Sequence, residues 1–175
     1  GLIKRLKSDW ATELSKGQMK QLCDARGIKL THSSPGQPRE NGAIEKAVDL
    51  VKSVARAIHA HAGLPKHFWL YAMLAACHIM QFMPIARFGG TTAYERLYSN
   101  VPDVSHLRTV GCLVMFYNYF VQKKSYFTPR AFKGVLLGFC DRSRSYLIWC
   151  IPTKRVVRSA EVVFYEHVYP FMSRK

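Results

Sequence analysis

The apolar residues of this 175-residue chain change their spacing near residue 104. Up to Pro102 they recur every three or four positions, as on helices that pack one face against a core. Beyond it, short apolar runs are separated by turn-like segments, a pattern typical of a small antiparallel barrel or sandwich. The change predicts an α/β (α+β) chain of two domains, residues 1–103 and residues 104–170.

Residues 1–103 read as short strands and helices divided by a loop rich in Ser, Pro and Gly at residues 33–38. The predicted elements are a strand at Leu2–Ser8, a helix at Gln18–Arg26 with Ser15 as a plausible N-cap, a strand at Ile28–His32, a helix at Gly42–His61, a second long helix from Pro65 to Met83, and a short helix that begins with a capping box at Thr92–Glu95.

The two long helices differ in amphipathicity. The first has an apolar stripe with helical spacing, formed by Ile44, Val48, Val51, Ala55 and Ile58. The second has almost no polar face, which predicts that it is largely buried. At 16 residues, its apolar run Phe68–Met83 is shorter than the roughly 20 residues of a membrane span.

Residues 104–170 contain short β runs at the regular spacing of a small all-β domain. The predicted strands are Cys112–Tyr117, Gly134–Cys140, Ser145–Ile151, Val156–Arg158 and Val162–Tyr165.

Charge and cysteine content narrow the function classes. Twenty-six Lys and Arg against 11 Asp and Glu give a net charge of +15, which favours an anionic partner, either a phosphate backbone or an acidic membrane surface. An apolar content of 49% argues against intrinsic disorder. Five scattered cysteines without a Cys-x-x-Cys pair indicate neither a disulfide framework nor a thiolate zinc site, so we expect an intracellular protein of the nucleus or cytoplasm.

Two carboxylates stand in unusual contexts. Asp9 ends the first predicted strand, and Glu45 lies in the first turns of the helix that follows the loop, with 35 residues between them. At about 100° per residue, Lys52 and Arg56 fall on the same helix face as Glu45, away from the apolar stripe. Such a face has the groups that magnesium-dependent chemistry on phosphates needs, but this pattern is most often a solvated, salt-bridged surface, and the spacing alone does not decide between the two.

Several motifs resemble one family, the integrases of copia-type long-terminal-repeat retrotransposons. The spacing of Asp9 and Glu45 resembles the family's D,D-35-E pattern, and the similarity extends over nearly the whole chain. The matching segments are Leu6–Asp9, Ser34–Pro35, Asn41–Glu45, Leu64–Trp69 and His106–Cys112, followed by Lys133–Phe139, Ser145–Tyr146 and Ser159–Glu166, which resemble an SH3-like domain.

The resemblance implies a partial RNase H-like integrase core followed by a small SH3-like barrel. It also implies 3′-end processing and strand transfer on DNA with Mg²⁺ (or Mn²⁺). Asp9 and Glu45 would be two of three catalytic metal ligands. The expected partners are retroelement ends and target DNA, with self-association of the full-length protein and no membrane. The residues expected to approach DNA are Lys7, Gln37, Arg39, Asn41, Lys52 and Arg56.

Two departures from the family pattern limit the expected activity. The family's first catalytic Asp has no counterpart here, so the chain is expected to be a fragment that is inactive alone. Trp10 also replaces the small Asn that follows the family's second Asp, which puts metal geometry in doubt. The alternative is a non-catalytic nucleic-acid-binding or protein-interaction module from a decayed or host-adopted element.

Overall fold

A computed structural model describes residues 3–8, 17–32, 42–117, 130–140 and 144–172. It confirms the mixed α/β class. In chain order the elements are β1 (Arg5–Ser8), α1 (Gln18–Ala25), β2 (Lys29–His32), α2 (Gly42–His61), α3 (Trp69–Met80), α4 (Ala93–Tyr98), β3 (Leu113–Tyr117), β4 (Ala131–Phe139), β5 (Tyr146–Cys150), β6 (Arg155–Ser159) and β7 (Val162–Tyr165), with 3-10 turns at Lys66–Phe68 and Ala86–Phe88.

The chain divides into two compact units. The first comprises residues 1–50 and 84–102, and the second comprises residues 51–83 and 103–175. Helix α2 begins in the first unit and continues in the second. Residues from 103 onward therefore share a unit with residues 51–83. The predicted boundary between a domain of residues 1–103 and a domain of residues 104–170 stays a prediction.

In the first unit, β1 and β2 form a parallel pair with Arg5 opposite Lys29. Parallel strands need a crossover connection, and α1 lies within it. Gly27, with φ of 64°, follows α1 at the position where the sequence predicts its end. The Ser15 N-cap lies outside the described residues, and α1 instead begins after Gly17.

The predicted capping box of α4 is confirmed. The Thr92 hydroxyl accepts a hydrogen bond from the Glu95 N–H at 3.0 Å, and the Glu95 carboxylate accepts one from the Thr92 N–H at 2.9 Å. These two bonds satisfy backbone donors that the first helical turn leaves unpaired.

The second unit contains a five-stranded antiparallel sheet in the order β6-β5-β4-β3-β7. The central strand β4 is buried from Gly134 to Gly138 because apolar groups cover it on both faces. One face packs a cluster of Cys112, Val114, Phe116, Leu136, Ile148 and Cys150. The other packs Val135 and Leu137 against Ala62, Leu64 and Phe68.

Helices α2 and α3 meet through small side chains. Ala55 of α2 clusters with Ala72 and Ala76 of α3, all three being buried. Because alanines let helix backbones approach closely, these positions define the contact between the two helices.

The sheet curls strongly without closing into the small barrel expected from the sequence. Among the described residues, β6 and β7 stand at opposite ends of the strand order, yet only Ala160 and Glu161 separate them along the chain. Four strand spacings of a flat sheet are about 19 Å, whereas three Cα steps span at most about 11 Å. The Ser159 hydroxyl donates to the Tyr117 carbonyl at 3.2 Å, which brings the ends of β6 and β3 together.

Helix α3 is less buried than its sequence predicts. Trp69 is 61% exposed, and Leu70 and Leu74 are about half exposed. The contacts with α2 and β4 cover only part of its circumference. The expectation of a largely buried helix is therefore wrong, since a continuous apolar run does not show how many of its faces have neighbours.

The apolar stripe of α2 also changes character along the helix. Ala55 is buried and Val51 and Ile58 are partly buried, but Ile44 and Val48 are exposed. The stripe therefore packs only in its C-terminal half.

Candidate nucleic-acid interface

The polar face of α2 presents four charged side chains to solvent. Glu45, Asp49, Lys52 and Arg56 are all exposed and follow one another at steps of three or four residues. Glu45 lies in the first helical turn, where the helix dipole favours a negative charge. Its carboxylate is thus accessible to a cation, and the two basic residues follow on the same helix face.

The predicted metal pair is only partly covered by the structure. Asp9 lies outside the described residues, as do Gln37, Arg39 and Asn41, so the separation of Asp9 and Glu45 stays a prediction. Within the described ranges, no group of three or more His, Cys, Asp or Glu side chains is arranged to hold a metal ion.

The predicted DNA-contacting residue Lys7 lies on β1 and is exposed. It is the next-to-last residue of this strand, which runs toward Asp9. Lys7, Lys52 and Arg56 therefore each occupy solvent-accessible positions, as contact with a phosphate backbone requires.

A second group of cations gathers at one end of the antiparallel sheet. Residues 104–175 contain 12 Lys and Arg but only three acidic residues. The Lys133 carbonyl accepts a hydrogen bond from the Ile151 N–H at 3.1 Å, at the start of the turn leading to Lys154, and Arg155 lies opposite Cys150 in the register. We call the exposed residues at this end, Arg130, Lys133, Lys154 and Arg155, the basic sheet end.

The basic sheet end was not recognisable from the sequence as one surface. Lys154 and Arg155 form a short basic cluster in the sequence, but Lys133 lies some 20 residues earlier. Only the register of β4 with β5 brings it to the same end of the sheet.

The Glu166 carboxylate connects two of the motifs found in the sequence, Ser159–Glu166 and His106–Cys112. Glu166 Oε2 accepts hydrogen bonds from the Thr109 N–H at 2.9 Å and from the Thr109 hydroxyl at 2.5 Å. Arg108 Nε lies 3.8 Å from Glu166 Oε1. The hydrogen bonds from Thr109, followed by the nearby Arg108 charge, lower the pKa of the Glu166 carboxyl. These contacts connect the residue that follows β7 to the segment before β3.

All five cysteines are free, and Cys23, Cys112 and Cys150 are buried. Burial, with a smaller contribution from the Glu166 charge, raises the pKa of Cys112 to about 11, so this thiol stays protonated near neutral pH. Cys112 and Cys150 serve as core side chains of the sheet.

The helices within the described ranges are each too short or too polar to cross a membrane.

Comparisons with known proteins match this chain to retroelement polyproteins. It is 28% identical over 165 residues to the "Retrovirus-related Pol polyprotein from transposon TNT 1-94" of Nicotiana tabacum, which covers 94% of this chain and 12% of the relative. It is 26% identical over 146 residues to the corresponding polyprotein from transposon RE1 of Arabidopsis thaliana, covering 83% of this chain and 10% of the relative. The chain thus spans about a tenth of the length of these relatives.

A solved structure gives a further match. It is a chain from the "CryoEM structure of simian T-cell lymphotropic virus intasome in complex with PP2A regulatory subunit B56 gamma", with 12% identity and a TM-score of 0.44, covering 92% of this chain and 57% of that chain.

A family model matches the C-terminal part of the chain. The model described as "Retroviral polymerase SH3-like domain" matches residues 112–175, which include strands β3 to β7. Residues 112–175 are thus similar to the retroviral polymerase SH3-like domain, and the chain as a whole is similar to a part of the Pol polyproteins of plant retrotransposons.

Proposed function

We propose that this chain is the DNA-binding C-terminal part of a copia-type retrotransposon integrase. In this proposal it acts in DNA integration, with retroelement ends and target DNA as partners. The observation that carries it is the +15 charge of the chain, four units of which gather at the basic sheet end, Arg130, Lys133, Lys154 and Arg155. The relationship to retrotransposon Pol polyproteins over 94% of the chain supports the same function.

The proposed catalytic role rests on two carboxylates. Asp9 and Glu45 would hold Mg²⁺ (or Mn²⁺), for which carboxylate oxygens are suitable hard ligands. The exposed position of Glu45 on α2 fits that role. A divalent-ion pair, when bound, supplies activation of the attacking hydroxyl and stabilisation of the leaving oxygen.

The basic and amide side chains would position the DNA. Lys7, Lys52 and Arg56 would neutralise backbone phosphates, and the polar groups of Gln37, Arg39 and Asn41 would approach the strand from the loop before α2. Such contacts fix the orientation of a duplex without reading its sequence.

Exposed apolar residues support self-association of the full-length protein. Trp69, Leu70 and Leu74 present a row on α3 that the described residues leave accessible. Large exposed apolar patches commonly mark interaction sites.

DNA binding is expected to be independent of sequence and strongly dependent on salt. Neutralising four to six phosphates should lower affinity roughly 100-fold to 1000-fold between 50 and 200 mM salt. Fluorescence anisotropy with a labelled duplex measures this. Arg56→Glu should weaken binding and reduce the salt slope.

Lys46→Glu is the matched control for that substitution. It makes the same charge change on an exposed residue of α2, but about 80° around the helix from Arg56. Equal losses for the two variants would indicate a diffuse charge effect. Affinity that stays flat across this salt range would contradict the proposal.

Strand transfer by a chain of these 175 residues is expected to be undetectable. The resemblance assigns two of the three carboxylates to this chain, and two-ion sites tolerate poorly the loss of a ligand. Joining of labelled oligonucleotide ends in Mg²⁺ or Mn²⁺ provides the assay. If joining occurred and Glu45→Gln abolished it, the carboxylates of this chain would suffice and the expectation of inactivity would be wrong.

A further inference from the structure

Two histidines from distant parts of the chain meet in the second unit. His78 lies near the end of α3, and His106 lies in the segment leading to β3. Their Nε2 atoms are 3.1 Å apart, and the two rings are nearly perpendicular, with an interplanar angle of 81°. The two nitrogens are therefore within hydrogen-bond distance of each other.

The other ring nitrogens fix how the protons are placed. His106 Nδ1 lies 2.9 Å from the Asp103 carbonyl, which can only accept, so this nitrogen carries a hydrogen. In neutral His106 the Nε2 lone pair is then directed toward His78. Gln81 Nε2 lies 3.3 Å from His78 Nδ1 and donates to it, so His78 donates from Nε2 to His106.

Aromatic side chains hold the pair in place. The His78 ring stacks on Phe139 at 4.8 Å with an angle of 19°, and Phe82 contacts both imidazoles edge-on. The Tyr146 hydroxyl donates to the His106 carbonyl at 3.1 Å. His78 and Gln81 also line a cavity of about 310 Å³ between α3 and β4, which gives a route for a small ion.

We propose that His78 and His106 form a two-nitrogen binding site for a late first-row transition-metal ion, with Zn²⁺ as the reference ion. Imidazole nitrogen suits zinc, cobalt, nickel and copper, whereas magnesium prefers oxygen. The site is separate from the carboxylates proposed for DNA chemistry. No third His, Cys, Asp or Glu completes it within the described ranges, so water would have to fill the remaining coordination positions.

The observed separation fits two ligands on one ion. With zinc–nitrogen bonds of about 2.0 to 2.1 Å, a 3.1 Å separation of the Nε2 atoms corresponds to an angle of about 100° at the metal. This value lies between the octahedral and tetrahedral angles. At this angle the ion would lie about 1.3 Å off the line that joins the two nitrogens, so each imidazole would have to turn to direct its Nε2 lone pair at the ion.

Metal binding also leaves the number of protons on the two imidazoles unchanged. His106 already presents its Nε2 lone pair and donates its Nδ1 hydrogen to a backbone carbonyl, the arrangement that orients metal-bound histidines. His78 has only to change tautomer, moving its hydrogen from Nε2 to Nδ1. Rotation of the Gln81 amide then brings its oxygen to accept that hydrogen, so both imidazoles remain neutral and no net proton is released.

Titration with Co²⁺ and Zn²⁺ tests this site. Co²⁺ should produce visible absorption without a thiolate charge-transfer band, and excess Zn²⁺ should displace it while Mg²⁺ should not. Replacing either ligand, as in His78→Gln or His106→Gln, should weaken binding at least about tenfold. Because the ion joins α3 to the segment before β3, Zn²⁺ should also raise the melting temperature of the unmodified chain but not of these variants.

Two control variants test whether the metal binds at His78 and His106 rather than at another histidine or at a thiol. His67→Gln removes another exposed histidine of the same unit and should leave binding unchanged. Cys77→Ser removes the exposed thiol that lines the same cavity and should also leave it unchanged. Binding that survives His78→Gln and His106→Gln, or that is lost in Cys77→Ser, would overturn the inference. Circular dichroism of each variant checks that a loss of metal binding is not caused by misfolding. The DNA affinity of the chain is measured separately without added metal, so that failure of the metal site can be distinguished from failure of the proposed DNA binding.

Discussion

Gly111→Ala is expected to destabilise the second unit by about 3 to 5 kcal/mol. Gly111 has a φ of 88°, which an alanine adopts only with strain. A Cβ at this position would lie 2.1 Å from the Ala62 Cβ. The backbone strain and the steric overlap add, and their sum is a large part of the 5 to 15 kcal/mol that stabilises a typical domain. Urea denaturation followed by circular dichroism measures the change.

A double-mutant cycle separates the two causes. Ala62→Gly removes the atom that the new methyl group would meet, so Ala62→Gly with Gly111→Ala should recover roughly 1 to 3 kcal/mol of the loss, the part due to overpacking. The strain from the positive φ should remain. A Gly111→Ala variant destabilised by less than about 1 kcal/mol would show that the end of α2 and the start of β3 are not in this close contact.

Gly134→Ala should also destabilise the sheet, by about 3 kcal/mol. Its φ is not in the left-handed region, so the effect is steric. A Cβ there would lie 2.4 Å from the Ile148 Cγ2 and 2.9 Å from the Trp149 carbonyl oxygen, both on the neighbouring strand β5. A backbone oxygen cannot move aside as a side chain can. Thermal or urea unfolding provides the measurement.

Gly138→Ala is the matched control, because it lies on the same strand and is equally buried. Its Cβ would meet nothing closer than 4.0 Å. Alanine also loses less backbone freedom than glycine on folding, so this variant should remain within about 1 kcal/mol of the parent stability. Similar losses for the two variants would contradict the packing of β4 against β5.

The elements that the sequence predicted well are those specified by local signals. The bounds of α2 agree at both ends because Gly42 and His61 enclose a continuous helical periodicity. The capping box at Thr92 and Glu95 uses contacts only three residues apart. The five C-terminal strands follow from runs of apolar and β-branched residues; Val162–Tyr165 agrees at both ends, and the bounds of the others differ by at most three residues.

Contacts between distant residues were beyond prediction from the sequence. Thr109 and Glu166 are 57 residues apart, and His78 and His106 are 28 apart. Nothing in their local sequence indicates that they meet, because strand register and helix docking determine these pairs. For the same reason the apolar run of α3 did not show that Trp69 would be exposed.

In the candidate site too, local features were predictable from the sequence and contacts between distant residues were not. The helical position of Glu45 and the exposure of Lys52 and Arg56 follow from periodicity, and the structure confirms them. The meeting of Asp9 with Glu45 depends on the path of the chain between them and remains a prediction.

The short connection between β6 and β7 affects how the sheet meets other proteins. An exposed strand edge is a template for pairing with another chain, and an open sheet has two such edges. Here Ala160 and Glu161 join the two edge strands covalently at one end, and exposed Arg155 and Arg158 lie on β6. A strand from a second molecule would have to enter a narrowed, positively charged gap. The connection thus brings the two edge strands together at that end and limits the room in which a second chain could pair with either of them.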